Sequence, residues 1–308
     1  MTSLPPPSVN QLYIEVSLLP SGHLFLSEIE IFGDPSGKNV LYPSMSFLLR
    51  HSLTKRLIVF DLGLRKDWEN YTPAVVEDAK ENFRPDVPVD VTDSLRRGGV
   101  QPEQVEFVVF SHIHFDHVGN PELFPSSTFC AGGGAEELLA NGYTCTHEPK
   151  DQILHPTYAK DLLPSDRTIF FSDANTDWKP LGPFPRTFDF YRDGSVYIVD
   201  APGHMPGHIN LLVRTSADGA WLLLAGDSAH DGRVITGERK IGEYLDEKTG
   251  ILYTMHQDMR VAQKHLDRIE ELRKLPKVQV LISHEKHWYN ENKDKGVVFP
   301  GTIPPVSS

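Results

Sequence analysis

The stretch FVVFSHIHFDHVGN, Phe107–Asn120, crowds three imidazoles and a carboxylate (His112, His114, Asp116 and His117) behind a β-favouring apolar run. In an extended loop, residues two apart project to the same side. His112 and His114 can therefore converge on one ion, while Asp116 and His117, past the bend, can reach a neighbouring one. Neutral imidazole is the commonest metal ligand, and a nitrogen–oxygen donor set suits zinc, with iron, manganese, cobalt or nickel also compatible. The bland alternative is an exposed polar loop that happens to be rich in histidine.

Three further segments weigh against that alternative. DAPGHMPGH places His204 after an apolar strand, between glycines that let the backbone bend sharply. LLLAGDS places Asp227 in the same way, and VLISHEKHW places His284. Four apolar strands thus each end in a candidate ligand, and open sheets build their sites at the ends of several strands.

The elements that must carry these residues are legible to different degrees. SLLPSGHLFLSEIEIFGD reads as strand, turn, strand. SMSFLLRHSLTKRLIVFDLGL repeats the theme with a turn near Ser52–Lys55, and leaves Asp61 where a strand becomes a loop. DVTDSLRRGG predicts a short helix ended by Gly98 and Gly99, and GGGAEELLANG another. QDMRVAQKHLDRIEELRKL has the 3.6-residue period of a helix. Thr146–Arg192 is rich in Pro, Asp and aromatics without a clear period, and reads as a long insertion over a site. Strand clusters separated by helices indicate an α/β layered domain.

Composition narrows the function. With 39% hydrophobic and 23% charged residues over 308 positions, the chain can bury a sizeable core. A formal charge of −12 repels phosphate backbones, so the expected partner is a small-molecule substrate and not nucleic acid. No apolar run approaches the ~18 residues of a spanning helix, so no membrane partner is expected. MTSLPPPSVNQLYIEV lacks the pattern of a signal peptide, and two cysteines make no disulfide framework. The expectation is a soluble, cytoplasmic protein, with a homodimer among the open oligomeric states.

Taken in order, HxHxDH, PGHxPGH, an Asp after an apolar strand and a late strand-end His resemble the metallo-β-lactamase superfamily. SHIHFDHVGN with PGHMPGH is most similar to its N-acyl-homoserine lactonase branch and to fungal lactamase-like (γ-lactamase) relatives. The resemblance implies an αββα sandwich with the metal site at the edge between two sheets. The Pro- and Ser-rich residues 1–10 read as a flexible tail, and 11–308 as a single domain of this kind with the 146–192 segment as a pocket-shaping insertion. By matching position, a first zinc would take His112, His114 and His204, and a second would take Asp116, His117 and His284. Asp227 would bridge them, and Asp61 would support the metal loop.

The implied reaction is opening of a lactone, γ-lactam or benzoxazolinone-like ring by a hydroxide bridging the two ions. Asp116 would shuttle the proton to the leaving group. Lactonases of the branch carry a Tyr shortly after the bridging Asp, where this chain has His230 in GDSAH. An imidazole there can hydrogen-bond the carbonyl or protonate an amide nitrogen. The rivals are a glyoxalase II-like thioester hydrolase and, from another class, a non-catalytic metal-bound scaffold.

Other residues are assigned lesser parts. His208 reads as a structural hydrogen-bonding residue, and His256 and His287 flank site-bearing segments and could line a pocket. His23, His51, His147, His155 and His265 read as ordinary. Trp178, Phe184, Phe188 and Trp288 are candidate pocket walls, and Cys130 and Cys145 are read as buried thiols.

Overall fold

Alternate residues of the apolar runs divide between separate cores, which shows how the layers arise. The computed structural model describes residues 3–141, 161–245, 250 and 252–307. One six-stranded sheet runs in chain order through β1 (Ile14–Ser27), β2 (Asn39–His51), β3 (Leu57–Phe60), β4 (Phe107–Val109), β5 (Thr128–Gly132) and β6 (Thr168–Phe171). The second comprises β7 (Lys179–Leu181), β8 (Phe184–Asp189), β9 (Val196–Asp200), β10 (Ile209–Arg214) and β11 (Trp221–Leu224). A short hairpin, β12 (Tyr244–Leu245) and β13 (Leu252–Tyr253), precedes β14 (Val278–Leu281), which completes the second sheet beside β11.

Side chains in a strand alternate between faces. In β2 and β3, Phe47, Leu49, Ile58 and Phe60 turn inward to meet Ile209, Leu211, Val213, Leu222 and Leu224 of the facing sheet. Their neighbours Leu48, Val59 and Leu57 turn outward. In the second sheet, Leu212 and Leu223 likewise face away from the shared core. Strands buried on both faces read as continuous apolar runs, as these do.

Helices flank the sheets and link the strands: α1 (Glu28–Phe32), α2 (Pro73–Asp78), α3 (Val91–Arg97), α4 (Phe115–Val118), α5 (Gly134–Asn141), α6 (Gly232–Ile235), α7 (Met259–Arg273) and α8 (Lys286–Asn292). Leu95 of α3 and Ala135 and Leu139 of α5 close the first sheet's outer core. Leu266, Ile269 and Leu272 of α7 close the second's. The result is an αββα sandwich, the architecture expected.

Two local expectations are corrected. Residues 12–32 form no strand-turn-strand unit, because β1 continues past Pro20–Gly22 with only a register shift against β2. The unbroken thirteen-residue partner strand overrides the local turn signal. The intended second strand ends instead in α1, stopped by Gly33 at φ 66°. Within the supposed insertion, 168–171, 179–181 and 184–189 are strands that link the sheets. Cys145, His147 and His155 lie outside the described residues.

The pairing brings the ligand-bearing ends together. β3 is parallel to β4, so Asp61 and the His112–His117 loop leave one edge side by side. β10 is antiparallel to both β9 and β11, and β11 is parallel to β14. The C-terminal ends of β9, β11 and β14 therefore share one edge of the second sheet. Backbone bonds stitch the two edges, from Ile209 N–H to Ser111 O (2.7 Å) and from Met45 N–H to Ser283 O (3.0 Å).

Candidate metal centre

Asp61 organises the loop after β4. Its carboxylate accepts from Ser111 N–H at 2.6 Å, Ser111 Oγ–H at 2.8 Å and His117 Nδ1–H at 2.9 Å. The last bond fixes the tautomer and turns His117 Nε2 into the site. His284 is set in the same way, its Nδ1–H donating to Pro43 O at 2.8 Å. His112 Nδ1 lies 2.9 Å from Ser111 Oγ, and Tyr71 O–H ties down the Phe115 carbonyl at 2.6 Å.

Two groups of donors result. In the first, His112 Nε2, His114 Nδ1 and His204 Nε2 are 2.9, 3.0 and 3.2 Å apart. Donors held tetrahedrally on zinc at their usual bond length stand about 3.3 Å apart, close to this triangle. One proton cannot bond three converging nitrogens, whereas one cation can. In the second, His117 Nε2 is 3.6 Å from Asp116 Oδ2, and His284 Nε2 is 3.4 Å from that same oxygen.

Asp227 stands between the groups. Its Oδ1 lies 3.3 Å from His117 Nε2, and its Oδ2 lies 3.4 Å from His284 Nε2 and 3.8 Å from both His112 and His204. Gly226 makes room for it: at φ 51°, a Cβ there would sit 2.7 Å from Ser111 Cβ. His117 Nε2 and Asp227 Oδ1 are buried without a well-formed hydrogen bond. Such orphaned polar atoms, facing one another in a nitrogen–oxygen donor set, fit a bound metal cation.

The electrostatics differ between the groups. Burial and neighbouring imidazoles hold His112 and His204 well below the ordinary histidine range, and burial takes His114 down to about 4. These rings are neutral and ready to ligate. Burial also opposes charge on His117 and His284, but Asp227 and Asp116 outweigh it. His117 is raised well above its ordinary value and His284 to about 10. Burial favours the acid form of Asp227, yet His117, His284 and His230 hold it well below the usual carboxylate range.

His208 stands apart as a cross-link. Its Nδ1–H donates to Ala201 O at 2.8 Å, and Nε2 accepts from Asp227 N–H at 3.1 Å. His230 is brought in, with Nε2 3.2 Å from Asp227 Oδ2. The next residue, Asp231, is anchored by Tyr42 O–H at 3.0 Å and by Arg233. His256, read as a flanking residue that could line a pocket, is buried edge-on to His204 at 5.2 Å between ring centroids. No motif signals it, since it precedes α7 in a polar segment.

The remaining assignments sort plainly. His287 lines a surface cleft of about 280 Å³ with Arg233, Arg273 and Glu285. His51 pairs with Asp193, His265 with Asn210, and His23 packs on Tyr289. One aromatic pocket wall is corrected: Phe184 is buried in the outer core under α7. Trp178, Phe188 and Trp288 are partly buried and pack against the central core. Cys130 is a buried thiol.

A sandwich with this donor cluster at the joined sheet edges defines a class, and comparison with known proteins names it. The sequence profile of the metallo-beta-lactamase superfamily matches residues 40–284, and the chain belongs to that family. It is 36% identical over 243 residues to gamma-lactamase FDB1 of Fusarium pseudograminearum, covering 74% of this chain and 56% of that one. The chain thus spans about half the length of that curated relative. Its fold resembles B. thuringiensis AiiA with N-decanoyl-L-homoserine bound at the active site, at TM-score 0.69 and 18% identity over 95% of this chain and 100% of that one. It also resembles AidC, a dizinc quorum-quenching lactonase, at TM-score 0.59 and 15% identity over 100% and 94%.

Proposed function

We propose that the chain is a dinuclear zinc-dependent hydrolase that opens a small cyclic ester or amide: a lactone, a γ-lactam or a benzoxazolinone-like ring. The observation that carries this reading is Asp227, whose two oxygens face a three-histidine group on one side and an Asp116, His117, His284 group on the other. The relative named a gamma-lactamase supports an amide ring, and the dizinc lactonase of similar fold supports two ions. His112, His114 and His204 would hold one zinc, Asp116, His117 and His284 the other, with Asp227 between.

Ions held by these residues would supply an acidified water and a polarised carbonyl. The chain's own groups do the rest. Asp116 Oδ2, within 3.6 Å of His117 Nε2 and His284 Nε2, takes up the proton released by the attacking water and passes it to the leaving atom. His230, held beside Asp227, donates a hydrogen bond to the ring carbonyl or to the departing nitrogen, which leaves poorly without a proton. Asp61 and Pro43 O keep His117 and His284 aimed.

The test is a panel of lactones, γ-lactams, benzoxazolinones and thioesters, assayed with the zinc-loaded protein and after chelation. Ring opening that chelator abolishes and zinc restores is expected. Turnover confined to thioesters would replace the substrate class, and no turnover at all would leave a metal-bound scaffold.

A further inference from the structure

His256 has no part in that reaction, yet it is as deeply placed as the residues that do. His204, His230 and His256 come from the loop after β9, the loop after β11 and the segment ahead of α7, and are 4%, 4% and 3% exposed. Each offers a ring nitrogen within 4.8 Å of the others. Their ring centroids are 5.0 to 5.3 Å apart. The placement is built: Gln257 N–H donates to His204 O and Asp258 N–H to Gly203 O, both at 2.9 Å, clamping the His256 segment onto the His204 loop.

Two nitrogens of this group are stranded. His204 Nδ1 and His256 Nδ1 are buried and have no hydrogen-bond partner, which is unfavourable for a buried polar atom. A ligating histidine ordinarily gives its second nitrogen an oxygen partner, as His117 and His284 do here. His204 does not. We infer that His204, His230 and His256 form an auxiliary site for a divalent transition-metal ion of the zinc type. Three imidazoles without a carboxylate suit zinc, copper or nickel and not magnesium or calcium. With His204 Nε2 in the first group, the auxiliary ion shares the ring through its other nitrogen, which must release its proton to solvent, so this ion binds more weakly than the first two.

The inference adds an ion to the proposed two-ion centre, and one titration separates the fates of both. Metal-free full-length protein is titrated with zinc against a chromophoric chelator. The unaltered chain is expected to bind three equivalents, the third weakest. His256→Gln and His256→Asn are expected to bind two, their circular dichroism and first two equivalents reporting an intact fold. An unaltered chain that stops at two equivalents removes the auxiliary site and leaves the two-ion reading; one that stops at one removes both. A third equivalent retained by the variants, or loss of every equivalent in a folded variant, also overturns the inference.

Discussion

Asp61 is positioned to touch no reacting atom, and its importance is argued through His117. Replacing it with Asn removes the acceptor that orients His117 Nδ1–H. Supporting hydrogen bonds of this kind are worth about 10–100-fold in metal affinity or activity, so Asp61→Asn should weaken zinc binding by that factor in a chelator competition. Unchanged affinity would remove its role. His230→Tyr restores the residue type expected of lactonases; turnover of a γ-lactam should fall by about a hundredfold or more relative to a lactone if the imidazole protonates nitrogen. Equal effects on both rings would strip His230 of that part. His112, His114, Asp116, His117, His204, Asp227 and His284 were readable in the sequence because each stands at a strand end in a glycine- or histidine-marked motif. His256 was not, because chain-distant packing alone brings it beside His204.

Among the elements, α7 carries a buried histidine whose titration marks the helix–sheet contact. His265 bonds Asn210 of β10 at 2.9 Å, and burial pushes its pKa from 6.5 down to about 3. The folded ring stays neutral where the unfolded ring binds a proton. Its contribution to stability is therefore complete above about pH 6.5 and declines toward pH 3, by at most about 1.4 kcal/mol per pH unit. Denaturant unfolding should show the stability gap between the parent protein and His265→Gln narrowing from pH 7 to pH 5. A constant gap would contradict the buried neutral ring. Periodicity revealed α7, and glycine-marked ends revealed α3 and α5, because local sequence sets them. It did not reveal that β1 runs through Pro20–Gly22, or that 168–189 supplies three strands, because pairing across the sheet decides both.

For the molecule as a whole, the strand-end rule and the order of motifs carried the fold, and two opposed sheets now account for why both strand faces are apolar. No helix among the described residues is long and apolar enough to cross a membrane. Substrate choice was illegible because an apolar ring reads the same in a core, as Phe184 proves to be, as in a pocket wall. The central claim is that two ions, held in two groups joined by Asp227, act together. The most direct test is turnover of the best lactam or lactone as zinc is returned stepwise to metal-free protein. The account predicts that activity rises and reaches its maximum at the second equivalent. Full activity at the first equivalent, or none at any, would contradict it.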